Sequence, residues 1–175
     1  MRFKLACTLL GALLVFLAAG GGQGRASGGP LTSGGEGISG IERKVGRAAT
    51  VMFLLANRSR TAATIERIRL LRPDPALRFL GARTLPVAKA GAGGGLVSEF
   101  PPPDLRAKDP RDAVGTSIPH TKPFGGTVVL LGLAAARPGV HALHHVVVDY
   151  HIGVQRFRAV YWVDVRICSP GTCPF

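Results

Sequence analysis

The chain has 175 residues, which is enough for one ordinary domain with a self-sufficient hydrophobic core. Its formal net charge is +12, a value that would favour nucleic acid or an anionic surface as partner. The basic residues are scattered, however, and are not interleaved with aromatic residues as they are in strong nucleic-acid binders. We therefore expect no nucleic-acid partner.

Residues 1–26 have the three parts of a secretory signal. Arg2 and Lys4 come first, an apolar run from Leu5 to Ala19 follows, and small residues complete the segment. We expect export and removal of this segment. The alternative is an uncleaved membrane anchor over residues 5–22, although its apolar part is shorter than the ~20 residues that span a bilayer comfortably. Such an anchor would be the only membrane contact that we predict.

The exported part is predicted to be a tether followed by one domain. Residues 27–44 are rich in glycine and serine at their start, which favours a flexible tether, and the domain should occupy residues 45–175. Its two cysteines, Cys168 and Cys173, flank a Pro-Gly turn. Outside the cytoplasm this spacing predicts a disulfide that holds the C-terminus.

Short apolar runs and alternating segments predict an all-β domain of about seven strands. The run Val51–Leu55 indicates a buried strand that ends in a turn, and Thr127–Leu133 indicates another. Thr64–Leu71 favours a strand, although a helical spacing of its isoleucines and its last leucine also fits. The weaker strand candidates are Leu77–Ala82 and Leu96–Phe100.

The last third of the chain has the clearest pattern. Val140–Ile152 and Gln155–Ile167 each alternate apolar and polar residues, as half-buried strands do. Gly153 and Val154 between them suit a two-residue type II′ turn, which fixes the register of the hairpin. On the outer side this register pairs His151 with Arg156, Asp149 with Arg158 and His145 with Trp162. On the inner side it pairs Tyr150 with Phe157, Val148 with Ala159 and Val146 with Tyr161.

Two parts of this pattern carry a resemblance. The first part is an apolar strand followed by Asn57–Ser59 and Thr64–Leu70. The second is Arg137–Val140 before a long strand that ends at Asp149 and Tyr150. Together they resemble immunoglobulin-like domains of exported bacterial proteins of unknown function. The resemblance covers residues 45–167 and implies a single antiparallel immunoglobulin-like β-sandwich. It brings no catalytic residue to this chain.

The outer side of the hairpin is the candidate binding face, because exposed tryptophan beside arginine is typical of interface anchors. Its residues are His145, Asp149, His151, Arg156, Arg158 and Trp162. The alternative is an envelope metal site of His145, Asp149 and His151, which the positive charge of the arginines would oppose. His144 falls on the apolar side of the pattern, where we expect a hydrogen-bonded core or rim residue.

Residues 86–126 are predicted to be a long loop, and loops of this length are usually either disordered or functional, here in contacting another protein. Asn57–Ser59 also matches a glycosylation acceptor. Ser117, His120 and Asp112 are close in sequence but lack the glycines of a nucleophile elbow. We therefore predict no enzyme and no cofactor. The function that we expect is a secreted or cell-envelope domain that binds an unidentified protein or surface ligand. The metal-binding alternative comes second and an exported hydrolase third.

Overall fold

The computed structural model describes residues 26–34, 39–90, 95–123, 125–170 and 173. Except for Ala26, the predicted signal or anchor lies outside the described residues. Among the residues described, no helix is long and apolar enough to cross a membrane.

Strands dominate the described chain, and two helices of one turn interrupt them. In chain order the elements are β1 (Ala26–Ser27), β2 (Leu31–Gly34), β3 (Ser39–Glu42), β4 (Ala48–Asn57), β5 (Ala63–Leu71), β6 (Leu77–Pro86), α1 (Val87–Ala90), β7 (Gly95–Ser98), α2 (Pro103–Arg106), β8 (Arg111–Asp112), β9 (Ser117–Ile118), β10 (Thr127–Ala135), β11 (Gly139–Ile152) and β12 (Gln155–Ser169).

These strands form two sheets that pack face to face. Sheet I has the order β1-β12-β11-β5-β9, with β3 also pairing with β12. Sheet II has the order β2-β4-β10-β6-β8, with β7 also pairing with β4. Without the short edge strands, the order β2-β4-β10-β6 against β5-β11-β12 is the ABED and CFG arrangement of a constant-type immunoglobulin domain. The predicted immunoglobulin-like sandwich is therefore confirmed.

The predicted hairpin register is also confirmed. From His145 opposite Trp162 to Ile152 opposite Gln155, every pair stands where the two-residue turn requires it. A type II′ turn requires a positive φ at its first central residue and not at its second. Gly153, the first, has φ +56, and Val154, the second, does not have a positive φ. The segment Thr64–Leu71, for which a helix remained open, lies within strand β5.

A β-bulge changes the pattern at the start of β11. The register with β12 shifts between Leu143 and His145, so that His144 stands opposite two residues of β12, Val163 and Asp164. His141 and Leu143 consequently point into the core, while His144 lies at the surface, where its Nδ1 is 2.8 Å from the buried carboxylate of Asp164. The placement of His144 on the apolar side was wrong because the alternation does not continue through the bulge.

The buried His141 joins two turns. Its Nε2 lies 2.9 Å from the carbonyl oxygen of Arg137, and its Nδ1 lies 3.2 Å from the carboxylate of Asp74. The backbone N–H of Ala76, together with His141, holds the pKa of Asp74 below its ordinary value. The turn before β6 is thus attached to the turn before β11.

The described part of the predicted tether is built into the sandwich. β1 and β3 pair in parallel with β12, and β2 pairs with β4 in the other sheet. Between β1 and β2 the Tyr150 hydroxyl donates to the carbonyl of Gly28 at 2.9 Å, and the Tyr161 hydroxyl donates to that of Leu31 at 2.8 Å. Burial raises the pKa of both tyrosines. The N-terminal segment therefore bridges both sheets.

Within the segment 86–126, Phe100 and Leu105 cover part of sheet II. The described residues of this segment contain α1, β7, α2, β8 and β9, so the prediction of one long loop was wrong, while β7 confirms part of the weaker strand candidate Leu96–Phe100. Leu105 and the partly buried Phe100 pack against Leu85, Val128 and Leu130 on the side of sheet II that faces away from the main core. Both faces of β10 are consequently buried, whereas Phe79 and Leu80 near the start of β6 are exposed.

The ring of Phe100 requires a glycine beneath it. A Cβ atom at Gly132 would stand 2.4 Å from a ring carbon of Phe100, closer than two such atoms can approach. We expect Gly132→Ala to lower the free energy of unfolding by about 1–3 kcal/mol, because the ring must move off the sheet. Urea unfolding checks this value. The control is Gly34→Ala, since a Cβ atom there meets only Leu54 at 3.9 Å, and an equal loss in both variants would contradict the expectation.

Candidate functional site

The candidate site lies on the outer face of sheet I, the face turned away from sheet II. The inner residues of β11 and β12 are buried in the main core, so that the alternate residues point outward. Three rows cross β12, β11 and β5 on this face: Arg158, Asp149 and Arg67; Val160, Val147 and Arg69; and Trp162, His145 and Leu71.

Trp162 stands in an apolar patch at the surface. Its side chain is 52% exposed, and Val160, two residues before it on the same side of β12, is 51% exposed. The ring of His145 meets the indole edge-on, with 5.4 Å between the ring centres. Leu71 extends the same row and is also exposed. We call these four residues the Trp162 patch.

Beside this patch, a buried carboxylate is held by two arginines. Arg158 Nε donates to Asp149 Oδ1 at 2.8 Å, and Arg69 donates to Asp149 Oδ2 at 3.2 Å. The predicted partner Arg158 is confirmed, but Asp149 is 0% exposed and not at the surface as expected. The two arginine side chains cover it and are themselves 40% and 46% exposed.

Sequence reasoning missed Arg69. The alternation in Thr64–Leu71 places this residue on one side of a strand, which was the only available signal. Arg69 meets Asp149 only because β5 lies next to β11, and the order of strands in a sheet cannot be inferred from the pattern of one strand.

The structure separates the residues of the metal hypothesis. His145 lies against Trp162, Asp149 between its two arginines, and His151 Nδ1 faces Glu66 at 3.3 Å. Arg156 also contacts Glu66, at 3.3 Å from Nε. In the part of the chain that is described, no three His, Cys, Asp or Glu side chains are grouped so that they could hold a metal ion.

The residues considered for hydrolysis are not brought together either. Nδ1 of His120 lies 2.9 Å from the carbonyl oxygen of Ser59, and the Asp112 carboxylate accepts from the N–H of Val114 and pairs with Arg83. None of these three contacts involves Ser117.

The predicted disulfide is confirmed. Cys168, buried near the end of β12, is bonded to Cys173. Because Cys168 lies within β12 and Cys173 follows this strand closely, the bond joins the C-terminal segment to sheet I and does not connect the two sheets.

Asn57 has a structural role that explains its position. It is 0% exposed, and its side-chain nitrogen donates to the carbonyl oxygens of Thr61 and Ile118, at 2.9 Å each. Its side-chain oxygen accepts the N–H of Ser59 at 2.9 Å. The nitrogen that would carry a glycan is therefore enclosed in the folded domain.

Comparisons with known proteins place the chain beside two solved structures. No protein-family model matches it, and no curated protein is similar to it in sequence. The VesB protease of Vibrio cholerae has a TM-score of 0.37 and 11% identity over 80% of this chain and 32% of the protease chain. The ASH/PapD-like domain 7 of human CEP192 has a TM-score of 0.39 and 10% identity over 82% of this chain and 87% of that domain. The chain thus spans about a third of the protease structure.

We expect Asn57→Asp to lower the free energy of unfolding by about 2–4 kcal/mol at neutral pH, because a carboxylate cannot donate to the two carbonyl groups. The loss should be smaller in acid, where a protonated carboxyl group can donate one bond. Urea unfolding at two pH values measures this. The matched control is the exposed Gln155→Glu, and a loss in Asn57→Asp that does not depend on pH would contradict the explanation.

We expect Asp149→Asn to destabilise the domain by about 1–3 kcal/mol, since it leaves two guanidinium groups side by side without their counter-charge. The partial exposure of both arginine side chains to water keeps the loss at this level. Thermal unfolding of Asp149→Asn is compared with that of Asp112→Asn, which removes an exposed ion pair with Arg83. Equal melting temperatures of the two variants would show that the buried carboxylate does not organise this face.

Proposed function

We propose that this chain is a non-enzymatic binding domain of a secreted or cell-envelope protein, and that it binds its partner through the outer face of sheet I. The observation that carries the proposal is the Trp162 patch. A tryptophan is half exposed on a paired strand of the sheet, an exposed valine lies two residues before it, and an exposed leucine lies in the same row beyond His145.

The environment of the patch supports a binding role. Trp162 lies on β12, which is paired with β11, so the backbone at this residue is already ordered. Little conformational entropy is therefore lost there when a partner binds. Arg69 and Arg158 border the patch and are held in place by Asp149. Tryptophan and arginine are the residue types most often found at the centre of protein interfaces.

The location is proposed on two grounds. The sequence begins with the parts of a secretory signal, and the disulfide between Cys168 and Cys173 suits an oxidising compartment outside the cytoplasm. The partner is then a protein or surface ligand that this compartment contains.

Trp162→Ala tests the proposal. We expect the variant to unfold at the same urea concentration as the native chain, because the indole is half exposed, and to lose binding by at least roughly 30-fold, as for an interface anchor worth about 2 kcal/mol. The measurement is quantitative capture of proteins from envelope extract on the immobilised full chain.

Val154→Ala is the matched control, since this residue is more exposed than Trp162 but lies in the hairpin turn, away from the patch. Proteins captured by the native chain and by Val154→Ala, but not by Trp162→Ala, are the expected result. Equal capture by all three chains would refute the proposed binding face.

A further inference from the structure

One end of the sandwich contains the start of β1. This strand pairs in parallel with β12, and Ala26 stands opposite Phe157, close to the beginning of β12. Because parallel strands run in the same direction, the N-terminal end of β1 points to the end of the sandwich at which β12 begins. β4 and β11 finish at this end, and β5 and β10 begin there.

Three turns meet at this end, and all of their charged residues are basic. Arg58 and Arg60 follow β4, Lys122 follows β9, and all three side chains are exposed. The sequence of the turns contains no aspartate or glutamate. Arg156, just after the hairpin turn, is not counted because it pairs with Glu66. We call these turns the basic end, and they comprise residues 58–62, 119–123 and 153–154.

The backbone of the basic end is held in place. Nδ1 of His120 lies 2.9 Å from the carbonyl oxygen of Ser59, so that the first two turns contact each other. The N–H of Arg58 donates to the carbonyl of Pro30 at 2.9 Å, and the buried side chain of Asn57 holds the first turn from within the domain. A ligand that binds at these turns therefore does not have to order the backbone that carries their basic side chains.

An apolar side chain stands at the tip of the basic end. Val154, in the hairpin turn, is 82% exposed, more than any other large apolar side chain in the described part of the chain. Exposed apolar residues beside basic ones are typical of surfaces that bind a membrane. The apolar side chain enters the boundary between headgroups and acyl chains, while anionic headgroups attract the nearby Lys and Arg side chains.

The predicted signal or anchor brings a membrane close to this end. Residues 5–22 are expected to enter the membrane, either permanently or until the segment is removed. From residue 22 to Ala26 the backbone can extend by at most ~14 Å. β12 has 15 residues and is about 50 Å long. Of the two ends of the sandwich, only the basic end is therefore held at the membrane surface.

Charge alone does not distinguish the two ends. The opposite end also has exposed basic residues, among them Lys44, Arg47 and Arg137, and it contains the carboxylate of Asp74. The distance from Ala26 is what separates the two ends, because β1 lies beside the beginning of β12 and the opposite end lies where β12 finishes. Lys44 and Arg47 are therefore suitable controls for the basic residues of the basic end.

From these observations we infer that the basic end is a docking surface for a membrane with anionic lipid headgroups, and that Val154 is inserted among these headgroups. Arg58, Arg60 and Lys122 contact the phosphate groups of the lipids. The site adds a second membrane contact to the one that the sequence predicts for residues 5–22.

This docking surface goes beyond the proposed binding face. The strands of sheet I lead away from the basic end, and Trp162 lies about 23 Å along β12 from residue 155. The outer face of sheet I therefore stays open to a protein partner while the domain is docked.

The test attaches a fluorescent dye to residue 154 and measures its quenching by quencher groups on lipid headgroups. The full chain carries Cys7→Ser and Val154→Cys, and the disulfide keeps Cys168 and Cys173 from reacting with the dye. The chain is reconstituted in vesicles of phosphatidylcholine with or without an equal part of phosphatidylglycerol. We expect at least roughly fivefold stronger quenching with phosphatidylglycerol, because its anionic headgroups attract the basic end. Equal quenching in the two kinds of vesicle overturns the inference.

A dye on Lys44→Cys is the control for position, since Lys44 lies at the opposite end and is also exposed. This dye should show the same weak quenching in both kinds of vesicle. Quenching at residue 44 as strong as that at residue 154 would mean that neither end of the domain is preferred at the membrane, and it would overturn the inference.

Arg58→Glu together with Arg60→Glu tests the charges of the basic end. We expect this variant to lose the part of the quenching at residue 154 that depends on phosphatidylglycerol. Lys44→Glu together with Arg47→Glu changes the net charge equally at the opposite end and should keep that quenching. All four side chains are exposed, so both variants should unfold at the urea concentration of the native chain. Equal losses in the two variants would assign the attraction to the overall charge of +12 and overturn the inference.

Trp162→Ala separates this inference from the proposed binding face. Its dye at residue 154 should be quenched as strongly as that of the chain with Trp162, and a loss would move the lipid contact to the outer face of sheet I and overturn the inference. The variant with Arg58→Glu and Arg60→Glu should capture the same proteins from envelope extract as the native chain. A loss of capture would assign the basic end to a protein partner and overturn the inference. Each of the two proposals can therefore fail while the other stands.

Discussion

The contact between the inner row of the β11–β12 hairpin and sheet II is the interaction on which the rest of this structure depends. Val146, Val148 and Tyr150 on β11, with Tyr161 and Val163 on β12, are buried against strands β4 and β10. Each side chain of this size stabilises the fold by about 1.5–3 kcal/mol when it is removed from water. Because side chains alternate, this inner row also decides which residues of the hairpin face the solvent.

Much of this arrangement could be predicted from the sequence because it depends on local chemistry. The period of two along β11 and β12, and a glycine at the first position of a two-residue turn, were enough to define the register from His145 to Ile152. The spacing of Cys168 and Cys173 was enough for the disulfide. Each of these inferences needed only residues that are close together in the chain.

What could not be predicted depends on partners that are distant in the chain. The bulge at His144 turns that side chain out toward Asp164, and nothing in the alternation shows where it stops. Arg69 reaches Asp149 only because β5 is the neighbour of β11. The segment 86–126 contains glycine and proline, as loops do, but its few apolar residues cover sheet II. The glycine and serine segment at the start of the domain is likewise held by tyrosines from the far end of the chain.

Because Phe100 and Leu105 cover part of one face of sheet II, the two sheets differ in how well they tolerate substitutions. The central strand β10 of sheet II is enclosed on both sides and all nine of its residues are buried, so that substitutions there disturb packing. Among the described residues, no such layer covers the outward side chains of β12, and several of them, including Val160 and Trp162, are half exposed. Variation among relatives and engineered binding surfaces would therefore be tolerated best on those positions, where a new side chain changes recognition at little cost in folding.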